Sequence, residues 1–153
     1  MPQSNGPYVN YAALCERVLH EADGVLSLIR IIDQVTVTIT AAGPVGVEVP
    51  AALLPPAPPL AITFAVGLKS RKRMGDVPVK IRIDTPSGFK WPEFETTVKL
   101  PGGERGAGIV LPMQIPAQDE GIYWFVVEVS GEVVTRVPLR VFKQVVTQTV
   151  LPG

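Results

Sequence analysis

The sequence has almost none of the residues from which catalytic and metal sites are usually assembled. It holds one cysteine, Cys15, and one histidine, His20, among 153 residues. A single thiol excludes an internal disulfide, and one Cys with one His falls short of the four ligands of a structural zinc site. Charge excess is missing too. Fourteen Lys and Arg balance fourteen Asp and Glu, whereas duplex-binding proteins carry a basic surplus that displaces counterions; no nucleic-acid partner is expected. No basic stretch followed by an unbroken apolar run opens the chain. The longest apolar segment, "VPAALLPPAPPLAI", is interrupted by five prolines between Pro50 and Pro59 and is too short to span a bilayer. These absences predict a cytoplasmic protein without membrane contact and without cofactor.

Helical periodicity is nearly absent as well. The one candidate, "YAALCERVLHEA", places Tyr11, Leu14, Val18 and Leu19 on a helical stripe, but the Asp23-Gly24 turn signal follows between two apolar runs. That arrangement marks a hairpin, with strands over 8–19 and 25–33. What the chain does contain is β-branched alternation punctuated by sixteen prolines and fourteen glycines. "QVTVTIT" continues as a strand through Thr40, and further strands read at 60–69, 77–84, 94–100 and 107–115. Between them, "SRKRMGD", "TPSGFKWPE" and "PGGERG" are rich in turn formers. The proline-rich stretch 41–59 cannot be a central strand, because proline lacks an N–H. It reads as a crossover between sheets in preference to a linker between domains, so residues 1–153 form one domain. A chain of this length buries roughly 70% of its unfolded surface.

The segment "QDEGIYWFVVEVSGEVVTRVPLRVF" forms the final hairpin. Asp119, Gly121 and Tyr123 match D-x-G-x-Y, the pattern of the tyrosine corner in immunoglobulin-like sandwiches, in which the phenol bonds backbone upstream. Two residues on, where antibody domains have cysteine, stands Phe125; contact between the sheets must therefore be apolar packing. Alternation puts Tyr123, Phe125, Val127 and Val129 on the core face with Val133, Thr135, Val137, Leu139 and Val141. Pairing those sets requires an odd-length connection, for which Ser130-Gly131-Glu132 serves. The opposite face carries Ile122, Trp124, Val126 and Glu128 beside Val134, Arg136, Pro138 and Arg140, too apolar for plain solvent exposure. Residues 143–153 read as a C-terminal tail that lies across this face or adds a strand to a neighbouring copy. The fold class is all-β: a single immunoglobulin-like β-sandwich of about seven to nine strands with Greek-key connections.

The chain also resembles a family of small bacterial immunoglobulin-like proteins of unknown function. The likeness is carried by "YAALCERV", "GVLSLIRIID" and "GIYWFVVEVSGEVVTRVPLRV". It spans Tyr11–Asp33 and Pro116–Val141, is loose in the middle, and departs in the proline-rich segment and after Phe142. It implies the sandwich fold and no activity.

Candidate chemistry is sparse. Cys15, Glu16, His20 and Glu21 are close in sequence, but five positions along a strand put Cys15 and His20 on opposite faces; a core thiol and a turn-flanking histidine are the simpler reading. No G-x-S-x-G elbow and no phosphate-cradling glycine pattern is present. Asp119 with Glu120 and Glu93 with Glu95 are paired carboxylates that read as turn and rim residues. The basic run Lys69–Arg73 reads as a solvated loop, with contact to phosphate or an acidic partner as the sharper reading. Trp91, within "FKWPEF", is either a ligand contact or a lid over the sandwich end. The expected function is non-enzymatic: a protein-binding or assembly module, with itself or another protein as partner. It would act through strand edges and the apolar face of Ile122, Trp124, Val126, Val134 and Pro138. A small-ligand or carbohydrate module using Trp91 is the alternative.

Overall fold

Alternating β-branched sequence has one way to bury its apolar side, which is to stack two sheets face to face. The computed structural model, which describes residues 6–43 and 54–149, does this with nine strands among those residues. They are β1 (Tyr8–His20), β2 (Leu26–Ile31), β3 (Gln34–Gly43), β4 (Pro59–Arg71), β5 (Gly75–Asp84), β6 (Phe94–Leu100), β7 (Gly103–Pro116), β8 (Gly121–Val129) and β9 (Glu132–Thr149). One sheet has the order β2-β1-β4-β7 and the other β3-β9-β8-β5-β6. The links β4–β5, β6–β7 and β7–β8 all pass between sheets, which makes the connections Greek-key. The expected strands at 60–69, 77–84, 94–100 and 107–115 correspond to β4 to β7. The link from β3 to β4 changes sheet; of the stretch 41–59 expected to be a crossover, residues 41–43 belong to β3 and Pro59 opens β4, and residues 44–53 lie outside the described residues.

The inner faces supply a single core. β4 contributes Ile62, Phe64, Val66 and Leu68, and β8 contributes Tyr123, Phe125, Val127 and Val129, all buried. Phe64 and Phe125 meet across the two sheets with ring centroids 5.6 Å apart and planes tilted by 56°. Phe125, two residues after the corner tyrosine, thus fills with aromatic packing the place of a sulfur bridge.

The final hairpin differs from expectation in how it meets its parity. The turn is two residues long, with Ser130 and Gly131 at φ 50° and 82°, the left-handed pair of a tight hairpin. The odd residue appears instead as a bulge: Val127 pairs Thr135 while Glu128 pairs Val133, leaving Val134 without a partner. The bulge exchanges two side chains. Val133, assigned to the core, is 50% exposed, and Val134, assigned to the outer face, packs against the core.

The segment expected to be a tail is largely strand. β9 runs on to Thr149 and pairs in parallel with β3, from Gln34 with Arg140 to Gly43 with Thr149. It therefore lies beside β3 within the chain and not across the outer face. Pro138 sits just before this ladder. The N–H of Arg140 donates to the carbonyl of Asp33 at 3.0 Å, and alternate residues of a strand direct their amides to the same side. The proline nitrogen consequently faces the edge that β3 has not yet reached, where no donor is required.

The widest ladder joins β4 to β7, from Pro59 with Pro116 to Arg71 with Gly103. Close approach of backbones there leaves no room for a side chain at Gly106: a Cβ would lie 1.8 Å from the carbonyl oxygen of Leu68. Gly106→Ala must push two rigid strands apart, and chemical denaturation should register a loss of about 1–3 kcal/mol. An unchanged midpoint would show that the β4–β7 pairing is looser than described.

Candidate binding surfaces

The tyrosine corner fixes one end of the sandwich. The Tyr123 hydroxyl donates to the carbonyl of Asp119 at 2.8 Å and accepts the N–H of Asp119 at 3.3 Å. Burial raises the phenol pKa, so the proton is retained for that bond. Gly121 swings the chain into β8 at φ 133°, and a Cβ there would meet the Pro86 ring at 2.9 Å. The glycine thus lets the corner pack against the β5–β6 loop. Beside it, the Glu120 carboxylate accepts the N–H of Lys143 at 2.5 Å, tying the corner to β9.

That loop, 85–93, is held by its own bonds. The Gly88 N–H donates to the Thr85 carbonyl at 3.1 Å, and the Thr85 hydroxyl donates to the Phe89 carbonyl at 2.9 Å. Trp91 is half-buried and packs on the core, with Phe89 against it edge-on at 6.1 Å and 79°. Phe89 itself is 64% exposed. Between loop and corner lies a cleft of about 390 Å³. Its walls are Phe89, Trp91, Pro92 and Pro116, and Ser87, Gln118 and Asp119 stand at its polar rim. Trp91 therefore closes the sandwich end and also lines the cleft. Phe89 carries no sequence signal beyond lying two residues from Trp91.

The outer face of the final hairpin is less bare than its sequence suggests. Val126 is flanked by Arg82 on β5 and Arg136 on β9 and has no exposed surface, because long aliphatic stems cover it. It is thus not available to a partner, and Val134 is turned inward by the bulge. Arg82 joins Glu128 and Asp84, Arg136 reaches Asp84 at 3.9 Å, and the Arg136 guanidinium lies 5.0 Å above the Trp124 ring. Partial burial works against the Arg82 charge, but the two carboxylates outweigh it and raise its pKa. Ile122 and Trp124 remain partly accessible, Pro138 is exposed, and Phe142 (42%) and Val146 (41%) continue the apolar line along β9. The ionic roof depends on which strands neighbour β8, so no local signal announces it.

The remaining candidates separate. Cys15 is buried, with its thiol 3.6 Å from the Thr63 carbonyl, and burial raises its pKa. His20 is exposed at the end of β1, about 16 Å further along the strand. Glu16 pairs with Arg30 at 3.3 Å, and Glu93 and Glu95 both reach Lys80, at 3.3 and 3.4 Å. Among the described residues no cluster of three His, Cys, Asp or Glu is placed to hold a metal, and no helix is long and apolar enough to cross a membrane. Arg71, in the basic run, has φ 53° and lies 4.2 Å above the Tyr8 ring.

Strand order, tyrosine corner and single core define an immunoglobulin-like β-sandwich. The chain belongs to DUF6941, a family of unknown function, which matches residues 10–142. Among solved structures, it is similar to an immunoglobulin-like protein of Pseudomonas aeruginosa, at 14% identity and a TM-score of 0.43, over 88% of this chain and 95% of that one. It is also similar to the alkylpurine DNA glycosylase AlkC of Pseudomonas fluorescens bound to DNA containing an abasic site analog, at 13% identity and a TM-score of 0.41. That likeness spans 86% of this chain and 30% of the glycosylase. No curated protein sequence matches.

Two measurements check this geometry. Tyr123→Phe removes one oxygen from a buried bond and should cost about 1–3 kcal/mol in denaturant unfolding; an unchanged midpoint would remove the corner from the account of the fold. Labelling of Cys15 by a thiol reagent should be slow in the native protein and fast in denaturant, and fast native labelling would place the thiol elsewhere.

Proposed function

We propose that this protein is a non-enzymatic binding module whose ligand sits in the cleft between the β5–β6 loop and the tyrosine corner. The observation that carries this reading is the Phe89–Trp91 pair, an exposed aromatic surface set against rigid core and rimmed by hydroxyl, amide and carboxylate groups. Small-molecule sites combine apolar walls with a few polar groups in this way. The matching ligand has a flat apolar face and polar groups around its edge, as a sugar ring does. Against an enzymatic role stand the separation of Cys15 from His20 and the engagement of Glu93 and Glu95 with Lys80.

The outer sheet face supports a second reading, as a self-association or protein-binding surface. Its support is the exposed line of Pro138, Phe142 and Val146 beside Ile122 and Trp124. The ionic roof over Val126 narrows that surface to the β9 side.

Tryptophan fluorescence distinguishes the two. In a Trp124→Phe background, titration with a panel of mono- and disaccharides should change the emission of Trp91 saturably. Phe89→Ala should weaken that response roughly tenfold or more. No response from any sugar, together with a dimer in light scattering that Phe142→Glu dissociates, would replace the cleft by the sheet face.

A further inference from the structure

At the far end of β8 from the cleft, one side of the sandwich carries strand edges that no described strand covers. The link at Ile32–Asp33 carries the chain from β2 in one sheet to β3 in the other, closing only part of that side. Below it, Tyr8–Ala13 of β1 pairs with β4 on one edge and with no described strand on the other, since β2 begins its pairing at Cys15. Likewise β9 pairs with β8 from Glu132 onward but meets β3 only from Arg140. Both edges, unpaired among the described residues, border a groove of about 870 Å³, lined by Val9 of β1 and by Val129, Val133 and Val134. Val9 and Val134 also pack on the core, so the groove has an apolar floor.

The backbone there is prepared to take a strand. Because the Arg140 N–H points toward β3, the N–H and carbonyl of Arg136 and the carbonyl of Pro138 point into the open side. An unpaired edge is a template for another strand, and Pro138 limits the ladder to roughly five residues, an ordinary strand length. The charge is one-sided. Arg71 and Arg73 stand at the mouth of the groove, with Lys69 and Lys72 in the same segment, and Glu132 is the one carboxylate in the lining. None of these four cations has a carboxylate within 4.0 Å among the described residues. Arg140, exposed, follows along the outer rim. In a chain with equal numbers of acidic and basic residues, this is a local excess that calls for an anionic counterpart.

We propose that this side is a receptor slot for an extended acidic segment of a partner protein, added as a strand to the free edge of β9. Open amides give such a segment its main-chain bonds, the apolar floor takes its inward side chains, and the arginines select its charge. A nucleic acid or an anionic membrane would use the charge and leave the strand edge idle, so a polypeptide fits the whole set of features. The slot and the aromatic cleft share no residue.

The test uses the full chain and a fluorescent peptide of alternating Glu and Val, with the Lys-Val peptide as control. Anisotropy should show saturable binding of the acidic peptide that weakens with salt. Arg71→Glu with Arg73→Glu should weaken it roughly tenfold or more, while Lys80→Glu on the outer face leaves it unchanged. Amide exchange should slow at Arg136 in the complex. Should the arginine variant fail to fold, salt dependence and exchange in the unmodified protein decide. Equal binding of the Lys-Val peptide, or binding without protection at Arg136, would overturn the proposal. So would tighter binding of an oligonucleotide or of phosphatidylserine vesicles. Binding that appears only after removal of residues 1–5 would assign the slot to the chain's own N-terminus and overturn it as well.

Discussion

Everything in this fold is arranged around the contact of Phe64 with Phe125, where the two sheets meet ring to ring. Sheets held by apolar packing alone depend on shape, and each large side chain must find its slot in the facing layer. β4 and β8 are suited to this because they are inner strands, paired on both edges within their sheets. Their faces then fix their neighbours. Once Phe125 points inward, Tyr123 does also, and its hydroxyl must find an acceptor; the Asp119 carbonyl is that acceptor. Once Tyr123 is anchored, the start of β8 and the loop that packs on Gly121 are set in place.

The two ends of β8 differ in character because different kinds of group close them. At the corner, the closure is made by side chains: Trp91, Tyr123 and the prolines around them. At the opposite end two strand edges stand near each other, and their main-chain groups have no strand partner among the described residues. A rigid concavity favours a compact ligand whose shape is matched once, whereas an exposed ladder favours a chain whose sequence is read every second residue. The outer sheet face is of neither kind. Its row of Arg82, Val126 and Arg136 spends its cations internally on Glu128, Asp84 and the Trp124 ring.

Much of this was legible in the sequence, and the boundary of legibility is physical. Period-two alternation and turn residues identify strands, because both are local properties; the D-x-G-x-Y pattern located the corner for the same reason. What local signals leave open is which strand lies beside which. The burial of Val126 follows from arginines on two other strands, and the pairing of Lys143–Thr149 with β3 follows from a partner distant in the chain. The exchange of Val133 and Val134 shows a subtler limit. The parity of the hairpin demanded an odd residue, but a three-residue loop and a two-residue turn with a bulge meet that demand equally well. The glycines of "PGGERG" read as a turn, yet Gly103 and Gly106 lie within β7 because β4 needs its partner's backbone close.

The parallel ladder between β3 and β9 has a consequence for how the molecule comes into being. Gln34 emerges from the ribosome long before Arg140 does, so β3 must wait through the synthesis of five further strands, β4 to β8, before its neighbour exists. During that interval it presents a run of Thr, Val and Ile with no hydrogen-bonding partner from β9. Contacts so distant in sequence form late and slowly, and until they form the exposed strand can pair with the wrong chain. The threonines at positions 36, 38 and 40, exposed on the outward side of β3, keep that face wettable while it waits. Parallel closure thus makes β9 the latch of the molecule, and it gives newborn chains their most vulnerable moment just before the latch falls.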